Sequence, residues 1–219
     1  MIITYHGHAC FKIKGGNGTL VTDPYQPYVG FELPSLTADI ITVSHDNPAH
    51  NNYRALGGTA RRKNPFLIEK PGEYEVLGIS VFGVKSFQDD QAGALRGVNN
   101  IFTVLMDGLR VCHLGGLGHV LDEATIGEIG LVDVLFLPVG EYLGLSIKDA
   151  IKVARSLEPN IVIPMSYRLP NHDQKVFGEM KPVEEFLKIY ETEVQAVDCL
   201  SLTTGNLPEE MEVMLLNCS

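Results

Sequence analysis

The sequence predicts two β-sheets packed on one another with helices on the outside. Two features of the chain carry this reading. As far as residue 114, short β-type runs follow one another with Gly, Pro and Asn breaks between them; beyond it, apolar runs alternate with segments of helical period. No linker-like stretch separates the two regions, so residues 1–219 are expected to form a single domain.

Residues 1–5 and 10–13 read as strands on either side of a turn at Gly7. Gly15, Gly16 and Gly18 then turn the chain into a third strand over 19–22, which makes a meander. Asp23-Pro24 ends that strand, and a loop punctuated by Pro27, Gly30 and Pro34 leads to a β-branched run at 40–43. Residues 66–69, 73–76 and 79–84 continue the β pattern, and a polar loop is expected over 88–99. Asp107-Gly108, between apolar runs at 101–106 and 109–114, is the strongest two-residue hairpin signal in the chain. Asp122 is placed to cap a short helix carrying Ile126 and Ile129, and 132–137 reads as a buried strand. Ser146 with Asp149 three residues on resembles a capping box, opening a helix whose apolar face is Ile147, Ala150, Ile151, Ala154 and Leu157. A buried strand at 161–165, a helix at 182–190 and a last strand at 211–216 complete the chain.

The charge balance narrows the function. A net charge of −10, from 27 acids against 17 bases, repels phosphate backbones and anionic lipid, so neither a nucleic acid nor a membrane is expected as a partner. The four cysteines, Cys10, Cys112, Cys199 and Cys218, form no Cys-x-x-Cys pair, which fits reduced thiols. Met1 leads directly into Ile-Ile-Thr-Tyr without a basic or long apolar leader, and a cytoplasmic location is expected.

Chemistry is expected where strands end in polar residues, because a sheet holds such loops rigidly. The run Ala-Asp-Ile-Ile-Thr-Val-Ser-His-Asp-Asn-Pro-Ala-His at 38–50 is the clearest case, delivering His45 and His50 to a loop. Gln88 ends a second strand, His113 to His119 follow the hairpin, and Ser166-Tyr167 follow the strand at 161–165. Histidines converging from separate strands suggest a metal site. Ser44-His45-Asp46 has the residues of a catalytic triad, but neighbours on an extended segment point to alternate sides and are not expected to form a relay. The glycines at 115, 116 and 118 are read as a tight turn rather than a phosphate cradle.

Taken together, Gly-His-Ala-Cys-Phe at 7–11, Thr-Asp-Pro at 22–24, Ser-His-x-x-x-x-His at 44–50, His-Leu-Gly-x-Leu-Gly-His at 113–119 and Ile-Pro-Met at 163–165 resemble the metallo-β-lactamase-fold hydrolases. The likeness is to the small cytosolic branch related to L-ascorbate-6-phosphate lactonase, and it spans nearly the whole chain. It implies an α/β fold of four layers, an αββα sandwich of two mixed sheets, with a two-metal site, zinc or manganese, at one sheet edge. Carried onto this chain, the family's first histidine is His45 and its fourth ligand is His50. The remaining ligand positions fall on Asn47, Ala49, Gln88, Gly116 and Ser166, so five of seven are substituted. His8 and Asp23 take supporting positions, and Asp46, His113, His119 and Tyr167 are further pocket candidates.

Amides are weak zinc ligands, and Ala49 and Gly116 offer no side-chain ligand at all. The expectation is therefore a homologue that has largely lost its dinuclear site, holding no metal or at most one weakly bound zinc or manganese ion. On that reading it is non-hydrolytic, kept to bind a small molecule or to assemble as a homo-oligomer. The alternative is a metal-dependent hydrolase of a small ester, lactone or phosphoester working through a reduced or rearranged metal site.

Overall fold

The computed structural model describes residues 1–142 and 144–219. The meander forms as the sequence predicts, with β1 (Ile2–Tyr5), β2 (Phe11–Lys14) and β3 (Thr19–Thr22) antiparallel in turn. Strand β5 (Ile40–Thr42) lies parallel to β3, and β7 (Phe66–Ile68) lies parallel to β5. Beside them is a small parallel pair, β4 (Thr37–Ala38) and β6 (Gly57–Gly58). Strands β8 (Gly72–Val76), β9 (Ile79–Phe87), β10 (Val98–Met106) and β11 (Leu109–His113) run antiparallel in sequence order. Helix α1 (Glu123–Ile129), β12 (Val134–Pro138), α2 (Ile147–Leu157), β13 (Ile161–Met165), α3 (Gln174–Phe177) and α4 (Val183–Tyr190) follow. Two short strands, β14 (Leu200–Ser201) and β15 (Glu212–Val213), close the edges of the two sheets.

The result is two mixed sheets. One has six strands in the order β14-β1-β2-β3-β5-β7; the other has seven in the order β15-β13-β12-β11-β10-β9-β8. Alternation along the strands explains how they stack. Leu20 of β3 and Ile40 of β5 face the core between the sheets, where they meet residues such as Val104, Phe136 and Ile163 of the other sheet. Their neighbours Val21 and Ile41 face the opposite way, into a second cluster with Tyr25, Val29, Leu36 and Phe177. These two strands are buried on both faces, which accounts for their continuous apolar runs. Phe11 of β2 stacks on Phe136 of β12 with ring centroids 3.9 Å apart, joining the sheets with two fully buried rings. Each contributes about 2–3 kcal/mol of burial.

Local signals place the helices and the hairpin. Asp122 caps α1 by accepting from the Thr125 amide at 2.8 Å, and Ser146 caps α2 by accepting from the Asp149 amide at 3.1 Å. Asp107 and Gly108 both adopt left-handed backbone (φ 53° and 77°), as a type I′ turn requires. Among the described residues no helix is long and apolar enough to cross a membrane. At the ends of β3, β5, β9, β11 and β13 the chain leaves the sheets with Asp23, Ser44-His45, Gln88, His113 and Ser166 respectively, and the β1–β2 turn carries His8.

Candidate metal centre

Asp23, from the end of β3, is fully buried and is the hub of the site. Its Oδ1 accepts from the Ser44 amide at 2.7 Å; its Oδ2 accepts from the Ser44 hydroxyl at 2.5 Å and lies 2.8 Å from His50 Nδ1. A carboxylate can only accept, so His50 carries its proton on Nδ1. Because the Ser44 hydroxyl gives its proton to Asp23, the His45 Nδ1 that lies 2.9 Å from it must donate. In their neutral forms both imidazoles therefore carry the proton on Nδ1 and the lone pair on Nε2, that of His50 lying 3.2 Å from His8 Nε2. This is the arrangement by which a carboxylate behind a histidine orients it for a metal.

The electrostatics agree. Burial pushes the Asp23 carboxyl up, but the neighbouring His113 and the hydrogen bond from His50 outweigh it and hold the group well below the usual carboxylate range. Burial, reinforced by the nearby His50, pushes His45 down to about 3, and burial likewise pushes His8 well down. Neutral imidazoles are the form that binds a cation.

His8, His45 and His50 line a cavity of about 250 Å³ together with Gln88, Gly116, Ser166, Phe177 and Met180. His45 and Gln88 also line a larger, more polar cavity of about 850 Å³ that reaches Arg54, Lys70 and Arg96. Backbone strain gathers here, as it does at functional sites: His8 (φ 52°), Asp23 (φ 36°) and Ser166 (φ 52°) are all left-handed without being glycine.

Residues 2–166 match the Beta-lactamase superfamily domain. The chain belongs to the metallo-β-lactamase superfamily. It is 30% identical over 188 residues to a UPF0173 metal-dependent hydrolase of Methanoculleus marisnigri, covering 76% of this chain and 81% of the relative. A second UPF0173 metal-dependent hydrolase, from Archaeoglobus fulgidus, is 29% identical over 198 residues, covering 76% and 83%. Among solved structures, a chain from Thermotoga maritima assigned to the Zn-dependent hydrolases of the superfamily superposes with a TM-score of 0.79 at 34% identity, covering 98% of this chain and 97% of that one. A metallo hydrolase from Ignicoccus hospitalis shares the fold, with a TM-score of 0.64 at 18% identity over 98% of this chain and 94% of that one.

Set on the metallo-β-lactamase frame, the expectation of no metal, or at most one weakly held ion, is overturned. The relatives are metal-dependent hydrolases, and Asp23, His45 and His50 each place a ligand atom within 4.8 Å of the others, all three buried. These findings support a bound metal rather than none. Asp23, expected in a supporting position, lies behind the histidines and bonds to Ser44 and His50. Folding brings it from the end of β3 into direct contact with His50 in the loop after β5. The donor set suits a zinc-type ion, with neutral imidazole nitrogens free on the cavity side and a carboxylate behind them.

The other motif positions have local duties. The Asn47 side-chain oxygen accepts from the Ala49 amide at 2.9 Å, and Ala49 is buried among apolar neighbours. Gln88 donates to the Val98 carbonyl at 3.0 Å. Gly116 lies against His45, and a Cβ there would sit 2.8 Å from the ring's Cε1. Gly118 faces the Gln88 carbonyl, 2.0 Å from where a Cβ would be, so the glycine run is a turn pressed onto the site. Of the further candidates, His113 is satisfied at both nitrogens, by the Ala9 carbonyl at 2.9 Å and the Gly115 amide at 3.1 Å. His119 lines a neighbouring cavity, and Tyr167 packs in the core against Tyr5. Asp46 turns away to accept from Asn51 at 2.6 Å. Ser44 and His45 do touch, contrary to the alternation expected of a straight strand, because β5 ends at Thr42 and the chain bends there. His172, which no sequence motif marks, is buried beside His8 with ring centroids 5.6 Å apart.

Proposed function

We propose that this protein is a metal-dependent hydrolase of a small ester, lactone or phosphoester, acting through a metal site rearranged around His45 and His50. The observation that carries the reading is the buried Asp23-His45-His50 cluster beside a cavity of about 250 Å³. A divalent cation bound there supplies Lewis acidity and brings the pKa of water toward neutrality, which is what hydrolysis of a carbonyl or phosphoryl ester needs. Asp23 keeps both imidazoles in one tautomer, directly for His50 and through Ser44 for His45. Leu117, Phe177 and Met180 give the cavity an apolar wall that limits water, and its modest volume favours a small substrate. The relatives named as metal-dependent hydrolases support the same class of reaction.

The test is turnover of p-nitrophenyl acetate, a simple γ-lactone and bis-p-nitrophenyl phosphate by protein dialysed against zinc or manganese. Activity that depends on metal and is abolished in the His45→Ala/His50→Ala double variant is the expected result, whereas a rate unchanged in the folded double variant overturns it. One observation favours a second reading, binding without hydrolysis: Ala49 and Gly116 bring no side-chain ligand, and the space at Gly116 is taken by the His45 ring. Saturable binding of such esters with no turnover under any metal would favour that reading.

A further inference from the structure

His8 is held far more tightly than a turn residue needs to be. Its carbonyl accepts from the Tyr5 hydroxyl at 2.9 Å and from the Ser166 amide at 2.7 Å, which ties the β1–β2 turn to the end of β13. Its backbone is left-handed and follows Gly7, itself at φ 96°. The ring is thereby delivered, 3% exposed, to the wall of the cavity that His45 and His50 also line. Fixing a side chain by its backbone in this way is how a site is preorganised.

The His8 Nε2 lies 3.2 Å from the Nε2 of His50. With Asp23 holding a proton on its Nδ1, a neutral His50 offers a lone pair at Nε2, and His8 then donates to it from Nε2–H when no ion lies between them. That leaves the buried Nδ1 of His8 without a partner among the described residues. The same spacing suits a different occupant. Two imidazole nitrogens bound to one zinc-type ion at about 2.0–2.1 Å, with a tetrahedral angle between them, lie roughly 3.3 Å apart. The 3.2 Å separation of the pair therefore equals one edge of such a coordination polyhedron to within about 0.1 Å.

We propose that His8 is a metal ligand, its Nε2 and that of His50 taking neighbouring positions on one ion. This rests on the metal reading above and adds a ligand that the sequence motif does not supply. When the ion enters, the proton on His8 Nε2 moves to the vacant Nδ1, so His8 remains neutral, no net proton is lost, and Nε2 is freed to coordinate.

Three measurements test this. Long-range nitrogen–proton correlation spectra of the wild-type histidine rings, with and without zinc, report the tautomer of His8 directly. Zinc affinity is measured by competition with a chromophoric chelator, and the visible absorption of the cobalt-substituted protein reports the ligand set. The variant is His8→Asn, because asparagine tolerates left-handed backbone. The expected result is a switch of His8 from protonated Nε2 to protonated Nδ1 on adding zinc, an affinity at least about 10-fold weaker in His8→Asn, and an altered cobalt spectrum. If the wild type binds zinc while His8 keeps its Nε2 proton, and His8→Asn retains both affinity and spectrum, His8 is no ligand and the metal reading stands without it. If the wild type binds no zinc or cobalt, both fail. Should His8→Asn not fold, the wild-type tautomer alone decides.

Discussion

Asp23 accepts the Nδ1 proton of His50 at 2.8 Å, and that one contact decides which nitrogen of His50 faces the cavity. The same carboxylate sets His45 through Ser44, so replacing it should disturb both rings together. In Asp23→Asn the amide presents one acceptor oxygen, where the carboxylate now receives three donors. The expected outcome is a loss of about 1–3 kcal/mol in stability and a zinc affinity lower by about 10–100-fold. Denaturant titration of the metal-free protein and chelator competition check the two effects separately. An Asp23→Asn protein that binds zinc as the wild type does would show that the carboxylate does not orient the ligands.

Gly116 is one of the ligand positions implied by the family resemblance, and the structure leaves no room there for a side chain. A Cβ there would lie 2.8 Å from Cε1 of His45, a ring already held by Ser44 and buried. Gly116→Ala is expected to push the ring aside, costing about 1–3 kcal/mol and weakening metal binding. Gly116→Asp, which returns a carboxylate to the position, is expected to bind zinc no better than Gly116→Ala. A gain in affinity for the aspartate variant would mean that His45 can move to make room.

Asp89 organises the loop after β9. Its two oxygens accept from the amides of Gln91 and Gly93, each at 2.9 Å, and of Leu95 at 3.2 Å and Arg96 at 2.7 Å. Burial pushes this carboxyl up, but the four amides together outweigh it and hold it below the ordinary value. A carboxyl lowered by folding contributes stability above its unfolded pKa, and loses it as the pH falls through the folded one. Arg96 and Gly97 line the larger cavity and Leu95 the neighbouring one, so the loop shapes the approaches to the site. Asp89→Ala is expected to speed hydrogen exchange at these four amides while leaving β9 and β10 protected. Uniform exchange across the chain would instead indicate global destabilisation.

How far the sequence discloses this molecule depends on whether the deciding interaction is local. Asp122, Ser146 and Asp107-Gly108 act within a few residues, and the helices and hairpin they predict form at those places. The run at 211–216 reads as a whole strand, but only Glu212–Val213 pairs with β13, while Leu216 forms a separate bridge to Val197. Strands β4, β6 and β14 are two-residue pairings imposed by distant chain and leave no pattern of their own. The site divides in the same way. His45 and His50 stand out as histidines at a strand end, whereas Asp23 takes its part only through partners 21 and 27 residues away. His172 lies in an irregular segment between β13 and α3; the Pro170-Asn171 turn before it is the only local hint.

His172 offers a way to watch the buried histidines through stability. Its Nδ1 accepts from the Leu169 amide at 2.9 Å, so the proton sits on Nε2, which is buried beside Phe31, Phe177 and His8 and has no partner among the described residues. Burial pushes this imidazole down to about 4. The unfolded chain takes up its proton near the ordinary value of about 6.5, so unfolding binds a proton between those limits and stability falls as the pH is lowered through the window. His172→Asn keeps an acceptor for Leu169 and removes the titration. The difference in unfolding free energy between the two proteins, measured by denaturant titration from pH 7 to 4, should change with a slope approaching one proton per molecule across that window. A flat difference would place a charged, solvated His172 in the folded protein and remove it from the buried row beside His8.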